Sequence, residues 1–266
     1  MSNIASGEYV AGEQFIRSDW ATSDRSDRVV TQDGGGARLA GLMASGLPVN
    51  FVEGQPVVAE MSAGRRFSLM IKRAMDVAIG GVALLALAPM LVGVAIVIRM
   101  TSPGPALFRQ KRDGVNGDVI SVFKFRSMYT DMGDATGVQQ TRKGDARITP
   151  IGRFIRKTSI DELPQLINVI RGDMSLVGPR PHPIGMVAGG KAYDQLVPYY
   201  HARHSMKPGI TGWAQANGLR GPTDDAVTAR ARIDHDIAYV QNFSILLDIK
   251  VILRTLRREF ISGSGL

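Results

Sequence analysis

Between Val77 and Ile98 the chain runs 22 residues without a charge. At 1.5 Å per residue, a helix of that length covers about 33 Å, close to the roughly 30 Å of a bilayer's hydrocarbon. The alternative is a core helix of a soluble domain, and the run's length and all-round apolarity count against it. Cations flank the run on both sides: Arg65, Arg66, Lys72 and Arg73 before it, Arg99, Arg109, Lys111 and Arg112 after it. All lie within the ~15 residues over which positive charge holds a flank on the cytoplasmic side, so both flanks are expected there. Pro89, just past the midpoint, offers a place to break the helix. The expected element over 65–100 is therefore a re-entrant helix–break–helix. Asp76 falls four residues after Lys72 and three after Arg73, where it can pair with both at the membrane entrance.

The charge is uneven along the chain. The net charge is +8, yet residues 1–64 carry four arginines, no lysine and eight acids, so the rest carries +12. Residues 1–64 are rich in Gly, Ser, Asp and Ala, with a Gly34-Gly35-Gly36 run, and read as a disordered polar tail. Within it, Val49–Val58 alternates weakly and could pair as a strand. No basic and then apolar region follows Met1, so the start does not read as a signal peptide. There is no cysteine, which excludes a disulfide framework, a thiolate nucleophile and a cysteine metal site. His182, His201, His204 and His235 show no metal-ligand spacing. A basic body suits nucleic acid, anionic lipid or phosphorylated substrates. No helix-turn-helix, finger or aromatic RNA-binding signature is present, so no nucleic-acid partner is expected.

Beyond the apolar run, Ser159-Ile160-Asp161-Glu162-Leu163-Pro164-Gln165-Leu166 places two adjacent carboxylates at a helix start. Proline is tolerated in a first helical turn, so Asp161 reads as the N-cap and Leu166, Ile167, Val169 and Ile170 as the apolar body. Ser159 and Glu162 have capping-box spacing, and capping alone is the plain reading of this octamer. A helix N-terminus also favours an ionised carboxylate and can receive a phosphate. The neighbours are cationic. Asn116-Gly117 reads as a hairpin turn, and the strand after it puts Phe123 and Phe125 on one face and Lys124 and Arg126 on the other. Arg153, Arg156 and Lys157 run into the acidic pair. Prolines on both sides restrict Arg180, whose planar fork suits phosphate oxygens. A long polar loop is expected over 130–147, and helices over 226–240 and 244–260. The last is basic and amphipathic, suited to a membrane surface or to packing on the core.

Taken in order, these stretches resemble the bacterial sugar transferase family, the monotopic polyprenyl-phosphate phosphoglycosyl transferases. The matching residues are Lys72-Arg73 with Asp76, Ser102-Pro103-Gly104-Pro105 with Phe108, Gln110 and Arg112, and Lys124-Phe125-Arg126-Ser127-Met128. Asp161 to Leu166, Gly172 to Pro181 and Pro208 to Gln215 complete the set, which covers about residues 66–258. The chain most resembles the short members that begin exopolysaccharide repeat units with a hexose-1-phosphate. Residues 1–64 have no counterpart, and Ala88 precedes Pro89 where some relatives have serine.

The resemblance implies an α+β fold: a helix-rich cytoplasmic catalytic domain with a small sheet, attached to the re-entrant helix. The expected divisions are a tail over 1–64, the membrane helix over 65–100, the catalytic domain over 101–242 and a basic amphipathic helix over 243–266. The implied reaction moves a sugar-1-phosphate, galactose or glucose, from a UDP-sugar to polyprenyl (undecaprenyl) phosphate and releases UMP. It would run on the cytoplasmic face of the bacterial inner membrane, in contact with membrane lipid, and it is compatible with a homo-oligomer. Asp161 would be the nucleophile that carries a phosphosugar, with Glu162 assisting, and both would be ligands of Mg²⁺. Lys124, Arg126, Arg156, Arg180 and Arg112 would bind substrate phosphate, and Pro89 would break the membrane helix. The alternative is a non-catalytic basic scaffold on anionic lipid or an assembly partner, which leaves the acidic pair unexplained.

Overall fold

The computed structural model describes residues 46–58, 60–132, 141, 144–221, 223 and 225–262, all within one unit, Gln32–Leu266. Most of the stretch read as a tail, and residues 133–140 and 142–143 of the polar loop, lie outside the described residues.

The chain enters through a small hairpin, β1 (Phe51–Val52) with β2 (Gln55–Pro56). This part of the stretch read as a tail packs on the domain. Gln241 binds the Asn50 backbone at both its N–H (2.8 Å) and its carbonyl (2.9 Å), and Phe51 meets the Tyr199 ring edge-on at 5.2 Å.

Helix α1 (Ala63–Thr101) follows, capped by Ser62, whose Oγ accepts from the Arg65 N–H. It is helical through Pro89, so the expected break is not a gap in the helix. Proline there removes one hydrogen bond and can bend the axis without ending it. Among the described residues this is the one helix long and apolar enough to cross a membrane, and most of its apolar run is uncovered: Leu85 is 78% exposed and Val82 69%.

The domain grips α1 at two levels. On the first half, Gly80 lets α3 (Gln165–Arg171) come close: a β-carbon there would sit 3.4 Å from Val169 Cγ1 and 3.5 Å from Ile170 Cδ1. On the second half, Leu91, Val94, Ala95 and Ile98 pack around Phe125 and Ile155. The basic entrance is arranged differently from the expectation. Lys72 does lie 4.0 Å from Asp76, but its closer partner is Asp248, at 2.5 Å. Asp76 accepts from Ser175 Oγ (2.7 Å) and the Leu176 N–H (3.0 Å). Arg73 turns away to the Val169 and Ile170 carbonyls, at 2.6 and 2.8 Å. The last carbonyls of α3 have no partner within that helix, and a cation complements them better than it does an already bonded carboxylate.

The expected hairpin forms as β3 (Leu107–Asp113) and β4 (Val119–Phe125), antiparallel, with Phe108 opposite Lys124. Asn116 (φ 54°) and Gly117 (φ 84°) supply the left-handed turn. Helix α2 (Pro150–Lys157) lies against the end of β4, because Gly152 has no side chain to collide with the Ser127 carbonyl, 2.0 Å from where a β-carbon would be. Strands β5 (Ser175–Val177) and β8 (Gly209–Thr211) pair in parallel, and β6 (Val187–Ala188) with β7 (Lys191–Ala192) makes a second tiny hairpin. Single helical turns stand at α4 (Tyr193–Leu196) and α5 (Trp213–Ala216). Helices α6 (Ala226–Gln241) and α7 (Ile245–Ser262) close the domain over a core that includes Val177, Trp213, Tyr239 and Val251. The architecture is the expected mixture of helices with little sheet, drawn as separate two-stranded pairs.

Candidate active site

Asp161 is not an N-cap. Ser159 takes a left-handed conformation (φ 55°), a single 3₁₀ turn covers Ile160–Glu162, and α3 begins only after Pro164, which occupies the cap position. Pro164 has no N–H to leave unsatisfied, so the helix can start there without a side-chain cap. The capping box is absent for the same reason: the Ser159 side chain makes no cap bond, and the Glu162 side chain points elsewhere. Both carboxylates are thereby freed from helix capping.

Glu162 faces β4 and the Arg180 loop. Its Oε1 accepts from Lys124 Nζ at 2.8 Å and Arg180 Nη2 at 2.5 Å, and its Oε2 accepts from Arg180 Nη1 at 3.1 Å. Burial pushes this carboxyl up, but Arg180 and then Lys124 outweigh it and hold it well below the usual range. Asp161 is the contrast. Among the described residues it accepts no hydrogen bond and makes no ion pair. Burial, and then the charge of Glu162, push its carboxyl up to about 6, against the pull of Lys124, Arg156 and Arg180. A half-buried carboxylate thus stands unpartnered beside three cations, two of them anchored on its neighbour.

Asn168 aligns these pieces. It is fully buried in α3, accepts the Phe123 N–H at 2.9 Å and donates to the Ser121 carbonyl at 2.7 Å, fastening the helix after the acidic pair to the strand that carries Lys124. The sequence reading misses it; its one signal there is a lone amide inside the apolar run Leu166–Ile170.

The five basic residues expected to bind phosphate separate. Lys124, Arg180 and Arg156 surround the pair, with Arg156 held by Ser127 Oγ (3.3 Å) and Thr141 Oγ1 (2.7 Å). Arg112 is near enough to feel both carboxylates, but it is buried. It donates to Gln110 Oε1 (2.7 and 3.0 Å) and the Pro181 carbonyl (2.6 Å), and burial and then Arg180 lower it to about 10. It braces the Arg180 loop. Arg126 points to the end of α1 instead: its guanidinium donates to the carbonyls of Ile98 (3.3 Å), Ser102 (2.8 Å), Pro103 and Gly104 (3.3 Å). The strand ends at Phe125, so Arg126 lies just past it, while Lys124 within it reaches Glu162. The carbonyls that gather at a helix C-terminus claim the longer reach of Arg126.

No group of three or more His, Cys, Asp or Glu side chains among the described residues could cage a metal. Mg²⁺, however, usually takes one or two carboxylates and completes its shell with substrate phosphate and water. The unpartnered Asp161 fits that donor set. Glu162 fits it only by giving up bonds to Lys124 or Arg180.

A family model described as bacterial sugar transferase matches residues 67–262. The exopolysaccharide production protein PSS of Rhizobium leguminosarum bv. phaseoli is 56% identical over 197 residues, covering 74% of this chain and 98% of that protein. The undecaprenyl-phosphate glucose phosphotransferase of Komagataeibacter xylinus is 50% identical over 199 residues, 75% of this chain and 37% of the relative. The UDP-glucose:undecaprenyl-phosphate glucose-1-phosphate transferase of Escherichia coli (strain K12) is 45% identical over 196 residues, 74% and 41%. The chain thus spans nearly all of the first relative and less than half of the other two.

Proposed function

This chain belongs to the bacterial sugar transferase family, and from that premise we propose that it transfers a sugar-1-phosphate from a UDP-sugar to undecaprenyl phosphate and releases UMP. Glucose-1-phosphate is the sugar we favour, because two of the relatives above carry glucose in their names. The observation that carries the proposal is the asymmetry of the acidic pair, with Glu162 fully engaged and Asp161 unpartnered among the same cations.

In this reading a carboxylate oxygen of Asp161 attacks the sugar-bearing phosphorus of the donor. The bond from that phosphorus to the bridging oxygen breaks, and the electron pair leaves with UMP. A phosphosugar then sits on Asp161 as an acyl phosphate. An oxygen of undecaprenyl phosphate attacks the same phosphorus, gives undecaprenyl-diphosphate-sugar and returns the carboxylate. Anion meets anion in both steps, so fixed positive charge dominates the barrier. Lys124 and Arg180, oriented by Glu162, and Arg156 supply it. Mg²⁺, held by Asp161 together with donor phosphate oxygens, would neutralise further charge.

The site must reach a lipid phosphate, and the two grips on α1 support a re-entrant placement. In a straight span, Gly80 and Ile98 would be about 27 Å apart, near opposite leaflets. One domain packs on both, and its charged strands cannot lie in hydrocarbon. A bend at Pro89 would return both arms to one leaflet, with the basic flanks and the catalytic domain on the cytoplasmic side of the inner membrane. Helix α7 supports the same plane. Leu246, Ile249, Leu253 and Leu256 form an exposed stripe, with Lys250 and Arg257 beside it, as in helices that lie at a membrane interface.

The test is a burst. Enzyme with UDP-glucose and Mg²⁺ but no lipid should release at most one UMP per site and gain the mass of a phosphosugar at Asp161. Undecaprenyl phosphate should then discharge it. Asp161→Asn should lose burst and turnover together. UMP release that appears only with lipid, with no adduct, would refute the covalent step.

A further inference from the structure

We propose that Arg203 and Asp236 are positioning residues: a buried ion pair that fixes the backbone of the Arg180 loop and so aims the Arg180 guanidinium at Glu162 and the donor phosphate. The inference rests on the reading above that Arg180 contacts the donor.

The loop cannot hold itself. Pro179 and Pro181 have no N–H to donate, so its order must come from groups outside it. Every carbonyl from Pro179 to His182 is taken. Pro179 accepts from the Gly209 N–H at 2.9 Å, Pro181 from Arg112 Nη1 at 2.6 Å and His182 from the Asp113 N–H at 3.1 Å. The carbonyl of Arg180 itself accepts from Arg203 Nη2. That same nitrogen lies 2.6 Å from Asp236 Oδ2. Arg203 and Asp236 are 1% and 2% exposed. The Arg203 guanidinium also lies over the Tyr200 ring, 5.4 Å from its centre, and the Tyr200 hydroxyl meets His182 Nδ1 at 3.1 Å. The order of contacts is therefore Asp236, Arg203, the Arg180 carbonyl, the Arg180 side chain and Glu162.

A buried ion pair is a poor device for stability alone, since apolar side chains of the same volume commonly serve as well or better. What an apolar pair cannot do is donate to a carbonyl. Here the donated bond falls on the residue whose side chain makes the bidentate contact with Glu162. Tilting that peptide would swing a long side chain, and small displacements of a positioning group cost rate steeply.

The experiment is a double-mutant cycle on the full chain in lipid nanodiscs, with kcat and KM for UDP-glucose and the melting temperature measured for each variant. Arg180→Ala should lower kcat/KM by about 10- to 100-fold, the range for a lost charge-assisted hydrogen bond. Arg203→Lys keeps the charge facing Asp236, but one ammonium cannot reproduce the fork. It should lower kcat/KM by about tenfold in the parental enzyme and by less than about twofold in the Arg180→Ala background. The paired change Arg203→Met with Asp236→Leu avoids a stranded buried charge. It should fold and show the same loss. Equal losses in both backgrounds would make the pair merely structural and overturn the proposal, as would full activity in the Met/Leu variant. No loss in Arg180→Ala alone would instead sink the donor-contact reading, and this inference with it.

Discussion

Arg126 offers a sharp test, because the family resemblance points it at substrate and the structure points it at α1. Its guanidinium reaches four carbonyls around the C-terminus of that helix. Pro103 and Gly104 are exposed and can turn to water when the side chain is removed, so their bonds count for little. The Ile98 carbonyl keeps the Ser102 N–H (3.2 Å), but Ser102 is 5% exposed and its carbonyl would be left without a donor. An unsatisfied buried carbonyl costs about 1–3 kcal/mol, so Arg126→Ala should cost roughly 2 kcal/mol. At about 2–4 °C per kcal/mol for a domain of this size, the melting temperature should fall by about 4–8 °C. Arg126→Lys keeps one donor group and should lose about half of that. Melting can be followed by tryptophan fluorescence in detergent, with donor KM measured well below the transition. If Arg126 binds phosphate, the pattern reverses: an unchanged melting temperature with a KM raised by tenfold or more would refute the helix-end role.

Asp161 should impose an acid limb on kcat/KM with an apparent pKa of about 6, since the proposed nucleophile is the unprotonated carboxylate and its pKa is raised. Glu162→Gln removes the neighbouring negative charge and frees two cations, so that limb should move to lower pH in a pH–rate profile. The two carboxyls have opposite signs in stability. The depressed Glu162 contributes stability above its ordinary pKa that is lost as acid protonates it, whereas the raised Asp161 costs stability at neutral pH and is relieved as pH falls through about 6. Lys72→Met strands Asp248, which is fully buried, and should cost about 3–5 kcal/mol by thermal melting, most of it recovered by adding Asp248→Leu. Chelating divalent metal should abolish UMP release and the adduct at Asp161 while leaving the melting temperature within a degree or two, and undiminished release in excess chelator would exclude the metal role. Single cysteines at Glu60 and Val119 should both resist an impermeant thiol reagent in intact cells, and labelling of one alone would refute the re-entrant placement.

Much of this is written in local sequence. An uncharged run of 22 residues determines one helix long and apolar enough to cross a membrane, because its length matches hydrocarbon and it carries no charge for water to solvate. The Asn116-Gly117 turn determines the β3–β4 hairpin through its left-handed preference, and that hairpin brings Lys124 to the site. The acidic pair, the arginine between prolines and the ordered motifs mark the family without any coordinates. Tertiary structure decided what each charged group does, because a charge takes whichever partner leaves the least unsatisfied. Arg126 went to the open end of α1, Arg73 to the end of α3 and Arg112 to the Arg180 loop, all carbonyl groups whose positions only the fold creates. The 3₁₀ turn removed Asp161 from helix capping and left it unpartnered among the described residues, and Arg203 met Asp236 across 33 residues of chain that carry no shared pattern. Periodicity reports which face of an element is apolar. Only packing determines which carbonyls and carboxylates are left open for the cations to meet.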